Sequence, residues 1–394
     1  MAFYVVPRRR SVLAGVTAAI ALLLGGTAFV QFQAASSWSA MQRKVGELRT
    51  KWESRERRRE PLWGDATTER AYEHYRRASD AAMALCSAHN DALMALLPLR
   101  GDGLPTAELR NAWQAMLEDL HRGAHATDLR PTADPYGGVD TTTLSLLPLR
   151  WVANCALFEA RVLLHEERAI DAARVSLDAA SLGADLLRDD VLINRMIGSA
   201  VLAIAMDTWS GDRMLARLDG DSLALLADGL ERLDRSLPSA PDLTGELLLS
   251  AYALQHLPDG IEAMSAWRHG FSTRWMIADE WLRYAKGADE VSRDALPWPQ
   301  QEVRLQAAAE TAGAGGLLLP VPHVLLGVES NVRCALLRVR MLRVAVDVHR
   351  GRDVPVLADP FGDGPLCVAH ESGGVRITSA GSTERRKLER FVAR

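Results

Sequence analysis

The sequence predicts a mainly α-helical protein with an N-terminal transmembrane helix, an array of antiparallel helical hairpins and a small C-terminal β-hairpin. Three observations carry this prediction: an uncharged run after three arginines, apolar residues at helical spacing through the centre, and turn chemistry near the end. The 394 residues are 48% hydrophobic and 24% charged, which is typical of a packed globular chain. The net charge of −4 gives no overall basic field for nucleic acid.

The uncharged run covers residues 11–31 and follows Arg8, Arg9 and Arg10. A helix of about 20 apolar residues spans the bilayer core, and a signal-peptide core is shorter, about 7–15 residues. We therefore expect a retained transmembrane anchor at 11–32. Two alternatives stay open: a cleaved signal peptide, for which Ala34-Ala35-Ser36 gives an acceptable site, and a buried helix of the folded domain.

The orientation is predicted from the basic residues on each side of this run. The three arginines before it favour a cytoplasmic start at 1–10, whereas the lysines and arginines between 43 and 59 oppose that orientation. We favour a single-pass protein of the bacterial inner (cytoplasmic) membrane, with its C-terminal domain periplasmic or otherwise extracytoplasmic.

A helical stalk is predicted at 33–60. Its apolar residues alternate in steps of three and four, which is the a/d seam of a heptad pattern. Two heptads are too few for an independent coiled coil. Either the seam mediates self-association, or it packs on the chain's own domain. The seam consists of Trp38, Met41, Val45, Leu48 and Trp52.

Residues 61–350 are predicted to form the helical domain, because caps and breakers separate segments of helical periodicity. The short link at 166–168 predicts an antiparallel hairpin, and the many alanines beyond it would let helices approach closely. This resembles tetratricopeptide-type pairs, although no 34-residue repeat can be aligned. The prolines within 311–328 predict a buried irregular segment there. Helices are expected at 69–97, 106–121, 148–167, 169–187, 190–209, 221–233, 242–255, 272–286 and 331–350.

The C-terminal part, 351–394, changes in style. Residues 359–365 are rich in Asp, Pro and Gly, which is turn chemistry. Short strand-like runs at 366–370 and 375–379 flank Gly373-Gly374 and predict a β-hairpin. The basic tail, 384–394, is expected to form a helical turn or to fray.

Metal-binding patterns are weak. His121 and His125 are four residues apart, the spacing that places two imidazoles on one helix face in zinc proteins. The general-base Glu of that motif is missing, Gly123 interrupts the helix and no third ligand is evident, so we predict a solvated helix end. Asp359 and Asp363 could contribute to a calcium site, but two carboxylates are few, and an Asx turn is favoured. No metal and no cofactor is predicted.

Catalytic motifs are absent from the sequence. It has no GxSxG, Walker or Rossmann glycine pattern, and His165-Glu166 lacks a second histidine, so no catalytic residue is predicted. Asp189-Asp190 is expected to cap the following helix, and the arginines of the last helix are expected to be solvated or paired with acids.

The four cysteines form no CxxC pair, so a zinc ribbon or a thioredoxin-type motif is excluded. They are expected to be small buried apolar residues; an exported domain would permit disulfides, and Cys334 with Cys367 is then the favoured bridge. The others are Cys86 and Cys155.

Two blocks of the sequence resemble known proteins. The first extends from Leu120-His-Arg-Gly-Ala-His through Asp189-Asp-Val-Leu-Ile-Asn, and the second is Asp359-Pro-Phe-Gly-Asp-Gly-Pro-Leu followed by Gly373-Gly-Val and Ser379-Ala-Gly. Together they resemble a broad group of uncharacterised bacterial single-pass proteins that are mostly helical and exported. The second block is also similar to the C-terminal hairpin of type II secretion pseudopilins. The prepilin cleavage motif and the Asp-rich calcium loop of that family are missing, so the resemblance implies only the hairpin and export.

The favoured function is a non-enzymatic, membrane-anchored interaction or scaffold module at the cell envelope, with a protein partner and no nucleic acid. Alternatives are an accessory component of a secretion or pilus-like system and an envelope hydrolase with an unrecognised carboxylate site. A closed pocket with two or more buried carboxylates would favour the hydrolase.

Overall fold

A computed structural model describes residues 8–96, 104–131, 146–209, 212–238, 242–255, 271–293, 296–313, 321–372, 374–380 and 389–393. Within these residues the chain is mainly helical and ends in a small antiparallel sheet. The predicted fold class is confirmed at this level.

The elements follow one another along the chain in a simple order. The helices are α1 (Arg8–Ser54), α2 (Ala71–Ala95), α3 (Ala107–His125), α4 (Leu146–His165), α5 (Ala169–Leu187), α6 (Leu192–Asp207), α7 (Asp212–Leu215), α8 (Gly220–Ser236), α9 (Thr244–Gln255), α10 (Phe271–Arg293), α11 (Trp298–Gly313) and α12 (Val321–His349). The strands are β1 (Thr67–Arg70), β2 (Ala126–Asp128), β3 (Cys367–Glu371), β4 (Gly374–Thr378) and β5 (Glu389–Ala393).

The predicted membrane anchor needs a correction. Among the residues that the structure describes, no helix combines the length and the apolar character needed to cross a bilayer. The prediction of a single-pass inner-membrane protein, with an anchor at 11–32 and an extracytoplasmic domain, is therefore wrong on this finding. Residues 11–32 belong instead to α1, which continues to Ser54 and carries many charged residues from Arg43 onward.

The second half of α1 packs on the rest of the chain. Met41, Val45 and Leu48 are buried in the hydrophobic core, and the helix lies against α9 and α10. The seam therefore covers the chain's own domain in this structure. Self-association through the seam stays a prediction.

Helix α5 lies at the centre of the helical domain. It packs against α3, α4, α6 and α8, so most of its surface is buried. The link between α4 and α5 is short, as predicted for a helical hairpin. Helix α6 approaches α5 closely at the point where a glycine of each helix meets the other. A Cβ on Gly198 would lie 2.7 Å from the carbonyl oxygen of Gly183, so only glycine permits this approach. Polar residues on α5 are consequently held deep inside the molecule.

Several predicted boundaries differ from the structure. Helix α3 continues through Gly123 to His125, and α12 begins at Val321, so residues 321–328 are helical. The N-cap of α6 is Val191 and not the predicted pair of aspartates, although the carboxylate of Asp189 accepts a hydrogen bond from the Val191 amide at 3.0 Å. Residues 389–393, for which a helical turn or a frayed tail is predicted, form β5 and pair antiparallel with β4.

The C-terminal hairpin is confirmed and is joined to the turn before it. Strands β3 and β4 pair antiparallel, from Cys367 opposite Thr378 to Glu371 opposite Gly374. The buried carboxylate of Asp359 accepts hydrogen bonds from the Phe361 amide at 2.9 Å and from the Ser379 hydroxyl at 2.8 Å. The first of these closes the predicted Asx turn.

Candidate metal centre

Two histidines of α3 and one aspartate of α5 meet beside the segment that links α1 to α2. One donor atom from each of His121, His125 and Asp178 lies within 4.8 Å of the other two. Trp63, from the linking segment, covers the group: its ring centroid lies 5.4 Å from that of His121 and 4.5 Å from that of His125. We call these three donors the His–His–Asp centre.

His125 is buried, contrary to the predicted solvated helix end. Its Nδ1 lies 2.9 Å from the main-chain carbonyl oxygen of Asp65. Because a carbonyl only accepts, Nδ1 carries a proton, and Nε2 is the nitrogen left to bind a metal ion. That Nε2 atom is buried, has no hydrogen-bond partner among the described residues, and lies 3.7 Å from Oδ1 of Asp178.

Asp178 is buried in the middle of α5, with its side chain 6% exposed. Its Oδ1 accepts a hydrogen bond from the indole Nε1 of Trp63 at 2.8 Å, and its Oδ2 lies 3.0 Å from Nδ1 of His121. Burial raises the pKa of the Asp178 carboxyl, and the hydrogen bond from His121 acts in the opposite direction. The same hydrogen bond raises the pKa of His121.

His121 is the accessible member of the centre. Its side chain is 49% exposed, whereas those of His125 and Asp178 are almost fully buried. His121 and Asp178 line an open cleft of about 800 Å³ between α3, α4 and α5. The centre therefore has a buried side at His125 and an open side toward the cleft.

Two glycines leave the space that the close packing around the histidines requires. Gly64 adopts a left-handed conformation (φ +66°), and a Cβ there would lie 2.6 Å from Cε1 of His125. Gly123, between the two histidines, faces the ring of Tyr75, and a Cβ there would lie 2.7 Å from Cδ1 of that ring. Gly123 thus permits a close helix contact and does not interrupt α3.

A buried ion pair contacts the C-terminal end of α3 next to the histidines. Arg59 Nη2 donates to the carbonyl oxygen of Gly123 at 2.8 Å, and Arg59 Nε lies 3.0 Å from Asp185 Oδ1. Asp185 also accepts a hydrogen bond from the Tyr75 hydroxyl at 2.6 Å. These contacts therefore join the linking segment to α2, α3 and α5 close to the histidines.

The geometry suits a divalent transition metal ion. Ligands of a tetrahedral zinc ion, with bonds of about 2.0–2.2 Å, lie about 3.3–3.6 Å apart. The 3.7 Å between His125 Nε2 and Asp178 Oδ1 is close to that separation, and a donor atom of His121 lies within 4.8 Å of both. In metal sites the second ring nitrogen of a ligating histidine donates to a carbonyl or carboxylate, as Nδ1 of His125 does here.

A second buried carboxylate lines the cleft. Glu159 accepts hydrogen bonds from the Arg110 guanidinium and, at 3.1 Å, from the indole of Trp113. These donors satisfy the buried carboxylate of Glu159, so we assign Glu159 a structural role in the wall of the cleft. The cleft is open to solvent and differs from the closed carboxylate pocket that would favour a hydrolase.

The other residues considered from the sequence lie apart from the centre. His165 is exposed at the end of α4, Asp363 is exposed, and Asp359 is engaged in its turn. The four cysteines form no disulfide: Cys155 is buried, Cys367 is exposed and the other two are intermediate, so the favoured Cys334–Cys367 bridge is not formed. Arginines of α12 pair with acids as expected, for example Arg340 with Asp234 at 2.9 Å.

Helical spacing predicts the histidine pair, but no sequence motif links it to Asp178 or Trp63. Asp178 is 57 residues from His121, and only the packing of α3 on α5 joins them. One feature of the sequence does point to a buried Asp178. Helix α5 is rich in alanine, which indicates a helix buried on most of its faces, so a carboxylate within it is expected to be buried as well. Such a carboxylate needs a buried partner.

Comparison with known proteins adds no assignment. No protein-family model matches the chain, and no significant match is found among curated proteins or solved structures, so the pseudopilin-like resemblance stays a prediction.

Proposed function

We propose that the chain binds one zinc ion through His121, His125 and Asp178. The observation that carries this proposal is the Nε2 atom of His125, which is buried, has no hydrogen-bond partner among the described residues, and lies 3.7 Å from a carboxylate oxygen of Asp178. In a zinc complex the ring of His125 is neutral, and its Nε2 atom and the Asp178 oxygen would both be acceptors. A divalent cation between them converts both into ligands.

The surroundings of the three side chains support metal binding. His125 is oriented by the Asp65 carbonyl and Asp178 by the Trp63 indole, which are the outer contacts that ligating imidazoles and carboxylates require. Imidazole and carboxylate together suit zinc among the divalent ions, and Fe²⁺ accepts the same donors. Three protein ligands leave a fourth coordination position, which would face the cleft beside His121.

Zinc binding is compatible with more than one cellular role. Three protein ligands with an open fourth position are typical of catalytic zinc sites, so the proposed site is compatible with an enzymatic role as well as with a non-enzymatic module. The interaction or scaffold role, the secretion-accessory role and the tetratricopeptide-like arrangement of the hairpins remain proposals from the sequence.

Zinc affinity measured by competition with a chromophoric chelator tests the proposal. The chelator-treated protein should bind one zinc ion per chain. His125→Ala and Asp178→Asn should weaken binding by more than the about 10- to 100-fold expected for loss of an outer contact, and Trp63→Phe should fall within that range. His121→Ala, at a half-exposed position, gives a variant whose folding is least disturbed.

His89→Ala is the matched control, because His89 belongs neither to the centre nor to the cleft lining. It should leave zinc affinity unchanged. If the wild-type protein binds no zinc, or if His121→Ala and His89→Ala bind it equally well, the centre is a histidine–aspartate ion pair and the proposal fails.

A further inference from the structure

Arg174 of α5 lies on the same cleft as the His–His–Asp centre. Its guanidinium carbon is 5.2 Å from the ring centroid of Trp63, the ring that also contacts His121. Nη1 donates to Asp171 at 3.2 Å, whereas Nε is buried and has no hydrogen-bond partner among the described residues. The side chain as a whole is 44% exposed and lines the cleft, so the end of the guanidinium beyond Nε is accessible from it.

The charges of the cleft lining are balanced without a metal ion. Four arginines and four carboxylates line it, and His121 is neutral when it acts as a ligand. A divalent ion would therefore give the loaded cleft a net charge of +2. A phosphate monoester carries about −1.5 to −2 near neutral pH, which matches that charge better than a single carboxylate does.

We propose that the cleft binds a phosphate monoester, with one phosphate oxygen at the open coordination position of the zinc ion and another at Arg174. This inference rests on the proposed zinc binding. Arginine suits this role because its guanidinium is always charged and donates strong hydrogen bonds to phosphate oxygens. Trp63 fixes Arg174 and His121 against one ring, so both are within reach of a single small ligand.

The cleft is large enough, and has suitable lining residues, to hold the organic group of the ester beside its phosphate. A volume of about 800 Å³ is much larger than a phosphate ion needs and falls among the volumes of pockets for small organic molecules. The amides of Asn111 and Gln114 on α3 line the same cleft and offer neutral donors and acceptors. We therefore expect a monoester to bind more tightly than inorganic phosphate.

Calorimetric titration of the zinc-loaded full chain with phenyl phosphate and with inorganic phosphate tests the inference. Phenyl phosphate should bind more tightly, and chelator-treated protein should bind neither. Arg174→Gln should retain zinc and lose about 10- to 100-fold in affinity for phenyl phosphate, the loss expected for a hydrogen bond between charged groups. Arg235→Gln, at an exposed position on α8, is the matched control and should bind like the wild type.

The outcomes separate the two proposals. If zinc binds but Arg174→Gln and Arg235→Gln bind phenyl phosphate equally, the phosphate site is refuted and zinc binding stands. Tighter binding of inorganic phosphate than of phenyl phosphate refutes the monoester as the ligand class. If the wild type binds no zinc, both proposals fall together.

Discussion

Replacing Arg59 by methionine should destabilise the protein strongly, because it leaves the charge of Asp185 buried. The side chains of Arg59 and Asp185 are 3% and 0% exposed, and their ion pair spans 3.0 Å. Breaking a buried pair by removing one partner costs about 3–5 kcal/mol. Arg188 remains 3.2 Å from the same carboxylate, so we expect the lower end, about 3 kcal/mol at pH 8.

The cost should depend on pH. Burial already raises the pKa of Asp185, and Arg59 opposes that rise, so the folded Arg59→Met variant should have a still higher Asp185 pKa. As the pH falls, Asp185 of the folded variant therefore binds a proton at a pH at which Asp185 of the unfolded chain, with a pKa of about 4, is still ionised. The variant's stability deficit should therefore be smaller at pH 5 than at pH 8, since each unit of pKa is worth about 1.4 kcal/mol.

Urea unfolding followed by circular dichroism at both pH values measures this. Arg58→Met is the matched control: the neighbouring arginine is 79% exposed, and its loss should change stability by less than about 0.5 kcal/mol. In the double variant with Asp185→Asn, the Arg59→Met change should cost less than it does alone. A cost below about 1 kcal/mol at pH 8, or an equal cost at pH 5, would refute the buried ion pair as a stabilising tie.

Two further predictions concern packing and protonation. Gly123→Ala should lower the free energy of unfolding by about 1–3 kcal/mol or more, because its Cβ would overlap the ring of Tyr75, whereas Gly46→Ala, in open space on α1, should raise it by up to about 1 kcal/mol. Equal effects in chemical denaturation would contradict the close contact. Burial, and then the charge of a neighbouring aspartate, raise the pKa of Asp189 to about 6, so the folded state holds its proton longer and stability falls as pH rises from about 4 to 7. Relative to Asp189→Asn, the wild type should lose up to about 3 kcal/mol over that range, and a difference that stays constant or grows would contradict the assignment.

Local signals made much of the helical framework predictable. Helix α5 has the predicted bounds of 169–187, because the short link before it and the small residues within it leave little choice. Thr106 caps α3 as expected, accepting a hydrogen bond from the Leu109 amide at 3.3 Å. Prolines misled the prediction at the start of α12, where Pro322 lies in the first turn and is tolerated.

The candidate site could be predicted only in part. Helical spacing places His121 and His125 on one face, but the sequence predicts a solvated helix end because no third ligand lies nearby in it. Asp178 becomes that ligand only through the packing of α3 on α5. The burial of His125 depends on the left-handed turn at Gly64 and on Trp63, neither of which helical periodicity reveals.

X-ray absorption at the zinc edge tests the central claim most directly. The zinc-loaded protein should show two imidazole nitrogens with one or two oxygens at about 2.0–2.2 Å, and no sulfur near 2.3 Å. The imidazole contribution should fall to one ring in His121→Ala. A sulfur shell, which would indicate binding at cysteine, or a shell of oxygens alone would contradict a zinc centre built from His121, His125 and Asp178.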